Sequence, residues 1–138
     1  MNQVVNDCIH AAQQQQRDGM ITGWQVEGTD AVSVTMLMPD YQRTEMQCNR
    51  GMINRTTTLL GGRDFGMLHA RQGVSEAAAR AKAGTVYSAG NLRGMEYTLD
   101  WFGNPYYRYS LTTPDGREAV VEIDAKSGKI ESTHSDQG

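Results

Sequence analysis

Histidine, proline and cysteine are scarce in this chain, with three, three and two copies. Two cysteines cannot build the multi-bridge framework of a small disulfide scaffold. No CxxC and no Cys/His cluster with zinc spacing is present. His10, His69 and His134 lie far apart and form no HExxH, and GxSxG, P-loop and GxGxxG motifs are missing too. The usual sequence signatures of zinc peptidases, serine hydrolases and nucleotide-binding enzymes are therefore absent. Asp64-Phe65-Gly66 spells the kinase triplet, but no other kinase signature accompanies it. No apolar run approaches the ~18–20 residues a membrane-spanning helix needs. A basic excess is lacking as well: the net charge is −3 and the pI about 5.5. Nucleic-acid binding draws most of its affinity from cationic contacts to phosphate. Arg50, Arg55, Arg63, Arg71, Arg80 and Lys82 are spread out and mixed with acids, so no nucleic-acid partner is expected.

The N-terminus, Met1-Asn2-Gln3-Val4-Val5-Asn6-Asp7, has neither a basic start nor an apolar h-region. Two readings stay open. The protein is periplasmic or secreted, its signal peptide removed and a methionine added, or it is cytoplasmic.

What is present suits a folded chain: 138 residues, 38% hydrophobic and 21% charged. That supports one compact core or two small subdomains sharing one. Val5, Cys8, Ile9 and Ala12 recur at helical spacing, predicting a helix over Gln3 to Arg17 that Asp18-Gly19 stops. Three strands are predicted next: Met20 to Glu27, Ala31 to Met38 and Arg43 to Asn49. Pro39-Asp40 turns between the last two, and Met52-Ile53 begins a short extension. Thr56 to Gly73 reads as loop. A second helix is predicted over Val74 to Ala83, with Ser75 as N-cap, Glu76 in the first turn and Gly84 ending it. Thr85 to Ala89 and Glu96 to Trp101 read as strand, Gly103-Asn104-Pro105 as a turn and Tyr107 to Thr112 as strand. Pro114-Asp115-Gly116 then turns into Glu118 to Asp124. Lys126-Ser127-Gly128-Lys129 turns again, Ile130 continues briefly, and the tail from Thr133 frays.

Cys8 falls on the apolar face of the first helix and Cys48 on the Met46 side of its strand. If helix packs on strand the sulfurs meet. Either they form a disulfide, worth about 2–4 kcal/mol in an oxidising compartment, or they are two buried free thiols. Cys8 and His10 cannot act as nucleophile and base, because residues two apart on a helix point away from each other. All three histidines are expected to be structural or exposed. Glu118 and Glu122 share one face of a strand that is expected to meet solvent.

Aligning Pro39-Asp40 with Pro114-Asp115 sets Arg43 to Asn49 opposite Glu118 to Asp124 and brings Met52-Ile53 close to Lys129-Ile130. The helix-ending Gly19 and Gly84 match at another offset, which makes Asp100 to Tyr106 the candidate insertion. The expected fold is α+β, two α-β-β-β units, each a helix packed on an antiparallel sheet. The expected division is 1–55 for the first unit, 56–73 as connector, 74–132 for the second unit and 133–138 as disordered tail.

The most suggestive cluster is aromatic. Trp101, Phe102, Tyr106, Tyr107 and Tyr109 surround Gly103-Asn104-Pro105. Aromatic side chains at a hairpin tip bury large areas on a partner at low entropic cost. The candidate binding residues are Trp101, Phe102, Tyr106 and Tyr107. The competing reading places Trp101, Tyr107 and Tyr109 in the core, with Phe102 and Tyr106 as the exposed contacts.

Val74-Ser75-Glu76-Ala77-Ala78, Gly84-Thr85-Val86, Tyr107 to Leu111, Pro114-Asp115-Gly116-Arg117 and Val121 to Ile130 together resemble the PepSY domain. The resemblance covers 74–131. Its most specific part is the strand Val121-Glu122-Ile123, the pair Asp124-Ala125, and the polar turn ending Gly128-Lys129-Ile130. The first half matches in outline only, with Asn49-Arg50 and Gly51-Met52 replacing the Asp-Ala and Gly-Lys signatures. The residues also have their own logic. Asp124 can accept N–H groups of the turn that follows, and Gly128 permits a positive φ, so the motif reads as a structural hairpin. The resemblance implies a helix on an antiparallel sheet, as in propeptides of secreted metallopeptidases and in extracytoplasmic bacterial proteins. The expected function is a non-catalytic extracytoplasmic protein-binding module, in its sharper form a peptidase inhibitor or regulator, with no cofactor. The alternatives are a cytosolic adaptor or phage-type inhibitor, and a small enzyme with a cleft between the halves. Oligomeric state is not legible.

Overall fold

The computed structural model describes residues 3–59, 73–87 and 91–135. The chain divides into two compact units, Asn2–His69 and Ala70–Gly138. In the first, helix α1 (Gln3–Gln15) precedes strands β1 (Met20–Val26), β2 (Ala31–Leu37), β3 (Arg43–Asn49) and β4 (Met52–Leu59). In the second, helix α2 (Glu76–Val86) precedes β5 (Asn91–Leu99), β6 (Pro105–Thr112), β7 (Glu118–Asp124) and β8 (Ile130–Ser135). Within each unit every strand pairs antiparallel with its sequence neighbour. The class is α+β.

In the first unit, Val5, Cys8, Ile9 and Ala12 form the buried stripe of α1. That stripe meets the in-facing positions of β2 and β3, and Val32, Val34, Met36 and Met46 have no exposed surface. Cys8 and Cys48 are bonded, their Cα atoms 5.8 Å apart. The bond ties the helix to the third strand and excludes the free-thiol reading. In the second unit, the strict alternation of β6 sends Tyr107, Tyr109 and Leu111 inward. Ala79 and Ala83 let α2 lie close over β6 and β7. Tyr97 packs at a tilt against Tyr107 with centroids 4.9 Å apart, and Tyr107 neighbours Tyr109 at 6.3 Å.

Four differences from expectation have physical causes. β4 runs to Leu59, well beyond the short extension expected to begin at Met52-Ile53. Its Thr-rich second half is half-exposed edge material with high β propensity and no apolar alternation to announce it. Gly19 is not a left-handed cap, since its φ is not positive. A Cβ there would lie 2.8 Å from the Met36 side chain, so its bareness serves packing. Gly84 does not end α2, which continues to Val86 with the Thr85 hydroxyl donating to the Lys82 carbonyl at 2.7 Å. That removes Thr85-Val86 from the strand predicted there. It also removes most of the offset that made Asp100 to Tyr106 look inserted, and the segment is instead the β5–β6 turn and the start of β6. Finally, β8 pairs with β7 as far as Ser135, so Thr133 to Ser135 belongs to a strand rather than a frayed tail. The loop expected over 56–73, with Asp64-Phe65-Gly66 and His69, lies mostly outside the described residues.

Candidate functional site

The β5–β6 turn is built by Asp100. Its backbone N–H donates to the Asn104 carbonyl at 2.8 Å, and its carbonyl accepts from Gly103 at 3.0 Å. Its carboxylate accepts the N–H groups of Phe102 and Asn104 at 2.8 and 2.9 Å. Gly103, at φ 81°, supplies the left-handed residue that closes a three-residue loop. Four hydrogen bonds thus hold a loop of Trp101, Phe102 and Gly103, and nothing in it folds back over the aromatics. Trp101 is 94% exposed and Phe102 85%. Strand β5 ends at Leu99, which puts Trp101 at the tip rather than in the core.

Tyr106 begins the outward face of β6, away from α2. It is half-buried, between Thr98 and Asp124 in register. Burial pushes its phenol above the ordinary value, the nearby Glu122 carboxylate adds to the shift, and Arg108 partly offsets it. Tyr107 has the opposite parity and no exposed surface, and its hydroxyl donates to the Val74 carbonyl at 2.6 Å. It is a core residue tying β6 to the start of α2, so no contact with a partner is open to it. The exposed set is therefore Trp101, Phe102 and, at its margin, Tyr106.

Beside this tip lies the β7–β8 turn. The Ala125 N–H donates to the Pro105 carbonyl at 3.0 Å, and the Ala125 carbonyl accepts from Gly73 and Val74 at 3.0 and 2.7 Å. Asp124 accepts the N–H groups of Lys126 and Ser127 at 2.7 and 2.8 Å. Those bonds, the one from Ser127 foremost, hold its carboxyl below the usual range. Glu131, hydrogen-bonded to Asp124, is pushed upward by desolvation and by that neighbouring charge. Gly128 sits at φ 77°. A Cβ on Gly73 would come within 2.7 Å of the Lys126 carbonyl oxygen. Gly73 and Gly128 together let the chain entering α2 press onto the turn. Ile130, 40% exposed, leaves the turn at the same end of the unit as Trp101 and Phe102.

One charged cluster escaped the sequence reading. Glu76 is buried under the first turn of α2, ion-paired to Arg80 at 3.0 Å and accepting the Tyr109 hydroxyl at 3.1 Å. The signal was available: an i,i+4 acid–base pair beside a Tyr of in-facing parity. Enclosed charges with such partners join helix to sheet. Among the described residues, no group of three or more His, Cys, Asp or Glu could hold a metal ion. His10 is exposed on α1, His134 lies in β8, and His69 falls outside the described residues.

A helix on an antiparallel sheet, its leading segment clamped to a glycine-bearing hairpin, defines a small α+β domain with an open strand face and a projecting tip. Residues 73–134 match the family model described as PepSY, peptidase propeptide and YPEB domain. The C-terminal half of the chain is a PepSY domain. Among solved structures, the fold is shared with a "putative lipoprotein" of Clostridium difficile 630 at 14% identity. The alignment covers 96% of this chain and 92% of that one, with a TM-score of 0.54. A DUF2874 family protein of Bacteroides uniformis ATCC 8492 is similar at 13% identity, over 94% and 87% of the two chains, with a TM-score of 0.38. No curated protein matches the chain. The PepSY domain and the disulfide point to an extracytoplasmic location. No helix among the described residues is long and apolar enough to cross a membrane.

Proposed function

We propose that this protein is a non-catalytic module, periplasmic or secreted, that binds another protein through the Trp101–Phe102 tip and the adjoining Tyr106. One observation carries the reading. In a unit that buries Tyr97, Tyr107 and Tyr109 completely, the two aromatics on a hydrogen-bonded turn stand almost fully in water. Large exposed apolar groups on a pre-organised turn are what interface hot spots use, because little entropy is lost on binding. The PepSY domain supports a peptidase as the partner, with the module as its inhibitor or regulator. The first unit has a helix followed by antiparallel strands, and we read it as a divergent copy of the second. The Cys8–Cys48 bond speaks against a cytosolic adaptor.

The test pairs binding with stability. Trp101→Ala/Phe102→Ala should retain the wild-type melting temperature and lose the protein captured by wild type from the extracytoplasmic fraction of the source organism. Wild type, and not this variant, should slow an extracytoplasmic peptidase captured in that way. Unchanged capture by the variant would refute the assignment of the tip.

A further inference from the structure

The β5–β6 turn consumes its own main chain. The N–H groups of Asp100, Phe102, Gly103 and Asn104 are all donated inside it, to the Asn104 carbonyl, the Asp100 carbonyl and the Asp100 carboxylate. The Asn104 side-chain amide donates to the second carboxylate oxygen at 3.5 Å, so three donors converge on the Asp100 side chain. The strands on either side are already paired, with Leu99 opposite Pro105 in register. The aromatics are not needed for this closure. The β1–β2 turn closes over the same span, with Glu27 N–H donating to the Ala31 carbonyl at 2.8 Å, and it carries Gly28 and Thr29 where the other carries Trp101 and Phe102.

We infer that the partner protein reads this tip through its side chains alone, taking Trp101 and Phe102 into an apolar pocket that is not a peptide-binding cleft, with Asp100 as the positioning residue that keeps the turn closed. The inference rests on the reading of the tip given above. A cleft that binds peptide, the catalytic groove of a peptidase included, receives an extended chain and pairs with its main-chain N–H and carbonyl groups. A reversed chain whose N–H groups are already donated leaves the polar groups of such a cleft unpaired, and each one costs binding energy. Side chains standing on a closed turn avoid that cost and lose little entropy on docking. A peptidase that receives the tip therefore does so away from its catalytic groove, and the Trp101–Phe102 bond is held without being cut.

The experiment uses the full chain, and α-chymotrypsin, which cuts after accessible aromatic residues, is its first probe. Wild type and Asp100→Asn, which keeps the accepting oxygen, should resist cutting after Trp101 and Phe102. Asp100→Ala should be cut there about tenfold faster, with no rise in cutting after the buried Tyr107, which only global unfolding exposes. Wild type cut at the tip as fast as Asp100→Ala would overturn the inference. For the second measurement, the chain carries p-benzoylphenylalanine at position 102 and is irradiated in the extracytoplasmic fraction of the source organism. The protein found in the adduct is purified and titrated with wild type, Asp100→Asn, Asp100→Ala and Trp101→Ala/Phe102→Ala. Asp100→Asn should match wild type, Asp100→Ala should bind about tenfold more weakly, and the aromatic variant should not bind. If Asp100→Ala matches or exceeds wild type while the aromatic variant fails, the closed turn is not what is read: the inference falls and the tip assignment stands. If the aromatic variant binds normally, or no adduct forms, both fall. The third measurement needs no variant. With a peptidase as the partner, wild type should lower kcat for a short peptide substrate and leave its KM unchanged, whereas a rise in KM alone would place the tip in the catalytic groove and overturn the inference.

Discussion

Tyr41 and Gly116 hold the same place in two turns of one design. In the β2–β3 turn Met38 N–H donates to the Gln42 carbonyl at 2.8 Å and Tyr41 N–H to the Met38 carbonyl at 2.8 Å. In the β6–β7 turn Thr113 and Arg117 are joined at 2.8 Å, and Gly116 donates to Thr113 at 2.9 Å. Both closing residues are left-handed, at φ 67° for Tyr41 and 87° for Gly116. A side chain in that region costs about 1–2 kcal/mol, and glycine returns about 0.5–1 kcal/mol of that through its greater unfolded-state entropy. Tyr41→Gly should therefore be neutral or raise stability by about 0.5 kcal/mol, and Gly116→Ala should lower it by about 1 kcal/mol. Thermal unfolding of the two variants checks this, and a loss in Tyr41→Gly would show that the tyrosine ring contributes packing. Asp124 and Glu131 give a pH-dependent case. The Asp124 carboxyl is depressed, so its stabilisation is present above its unfolded pKa and is lost as pH falls through the folded value. Glu131 is raised, so its favourable, protonated form holds below its unfolded pKa and is lost as pH rises through the folded one. Glu131→Gln keeps a donor for Asp124 and removes the repulsion. The variant should gain up to about 0.5 kcal/mol at pH 7, limited by solvent screening of an exposed and a half-buried group. The gain should vanish below about pH 4, where a glutamate with a raised pKa is itself protonated. Melting curves at the two pH values test the sign.

Neighbouring aromatics on the β5–β6 hairpin have opposite fates, and the cause is parity and place in the element. Tyr107 points under α2, whereas Phe102 stands on the turn. Tyr107→Ala should cost about 3–5 kcal/mol, as truncation of a large buried ring does, and Phe102→Ala should cost close to nothing. Denaturant unfolding separates these outcomes, and similar losses in both would place Phe102 in packing rather than at a contact. The segment entering α2 makes a second element-scale prediction. Gly73→Ala sets a Cβ against the Lys126 backbone, which cannot give way as a flexible side chain would. It should cost about 1–3 kcal/mol and speed hydrogen exchange at Gly73 and Val74, whose N–H groups bond the Ala125 carbonyl. Elements with a clean period or a turn marker were legible from residues alone: β3 and β7 keep their expected limits, and Ser75 caps α2 by accepting from Ala78 at 3.2 Å. The second half of β4 and the end of α2 were not. Threonines on an edge strand carry little pattern, and a glycine with open space around it does not compel a helix to stop. At the site, Phe102 was legible because it adjoins Gly103.

At the scale of the molecule, the two units are held by different means. The Ala70–Gly138 unit fills its interior with three fully buried tyrosines and the Glu76–Arg80–Tyr109 cluster. Among the described residues, the Asn2–His69 unit has no such set: its interior is lined by Trp24, methionines and aliphatics, and it adds a covalent tie across 40 residues of chain. A small unit with a modest core gains most from such a tie, because closing the loop removes conformations from the unfolded chain. Cys8→Ala/Cys48→Ala should therefore cost about 2–4 kcal/mol, and the loss should fall unevenly. Amide exchange should accelerate in α1, β2 and β3, where the bond joins helix to sheet, and change far less in β6 and β7, whose contacts it does not touch. Exchange mapped by mass spectrometry on the oxidised, dithiothreitol-reduced and double-alanine proteins makes the comparison. The reduced and double-alanine forms should agree. Equal acceleration along 91–135 would show that the bond governs the whole chain as one cooperative body, and no acceleration in α1 would show that the helix is held by its apolar stripe alone.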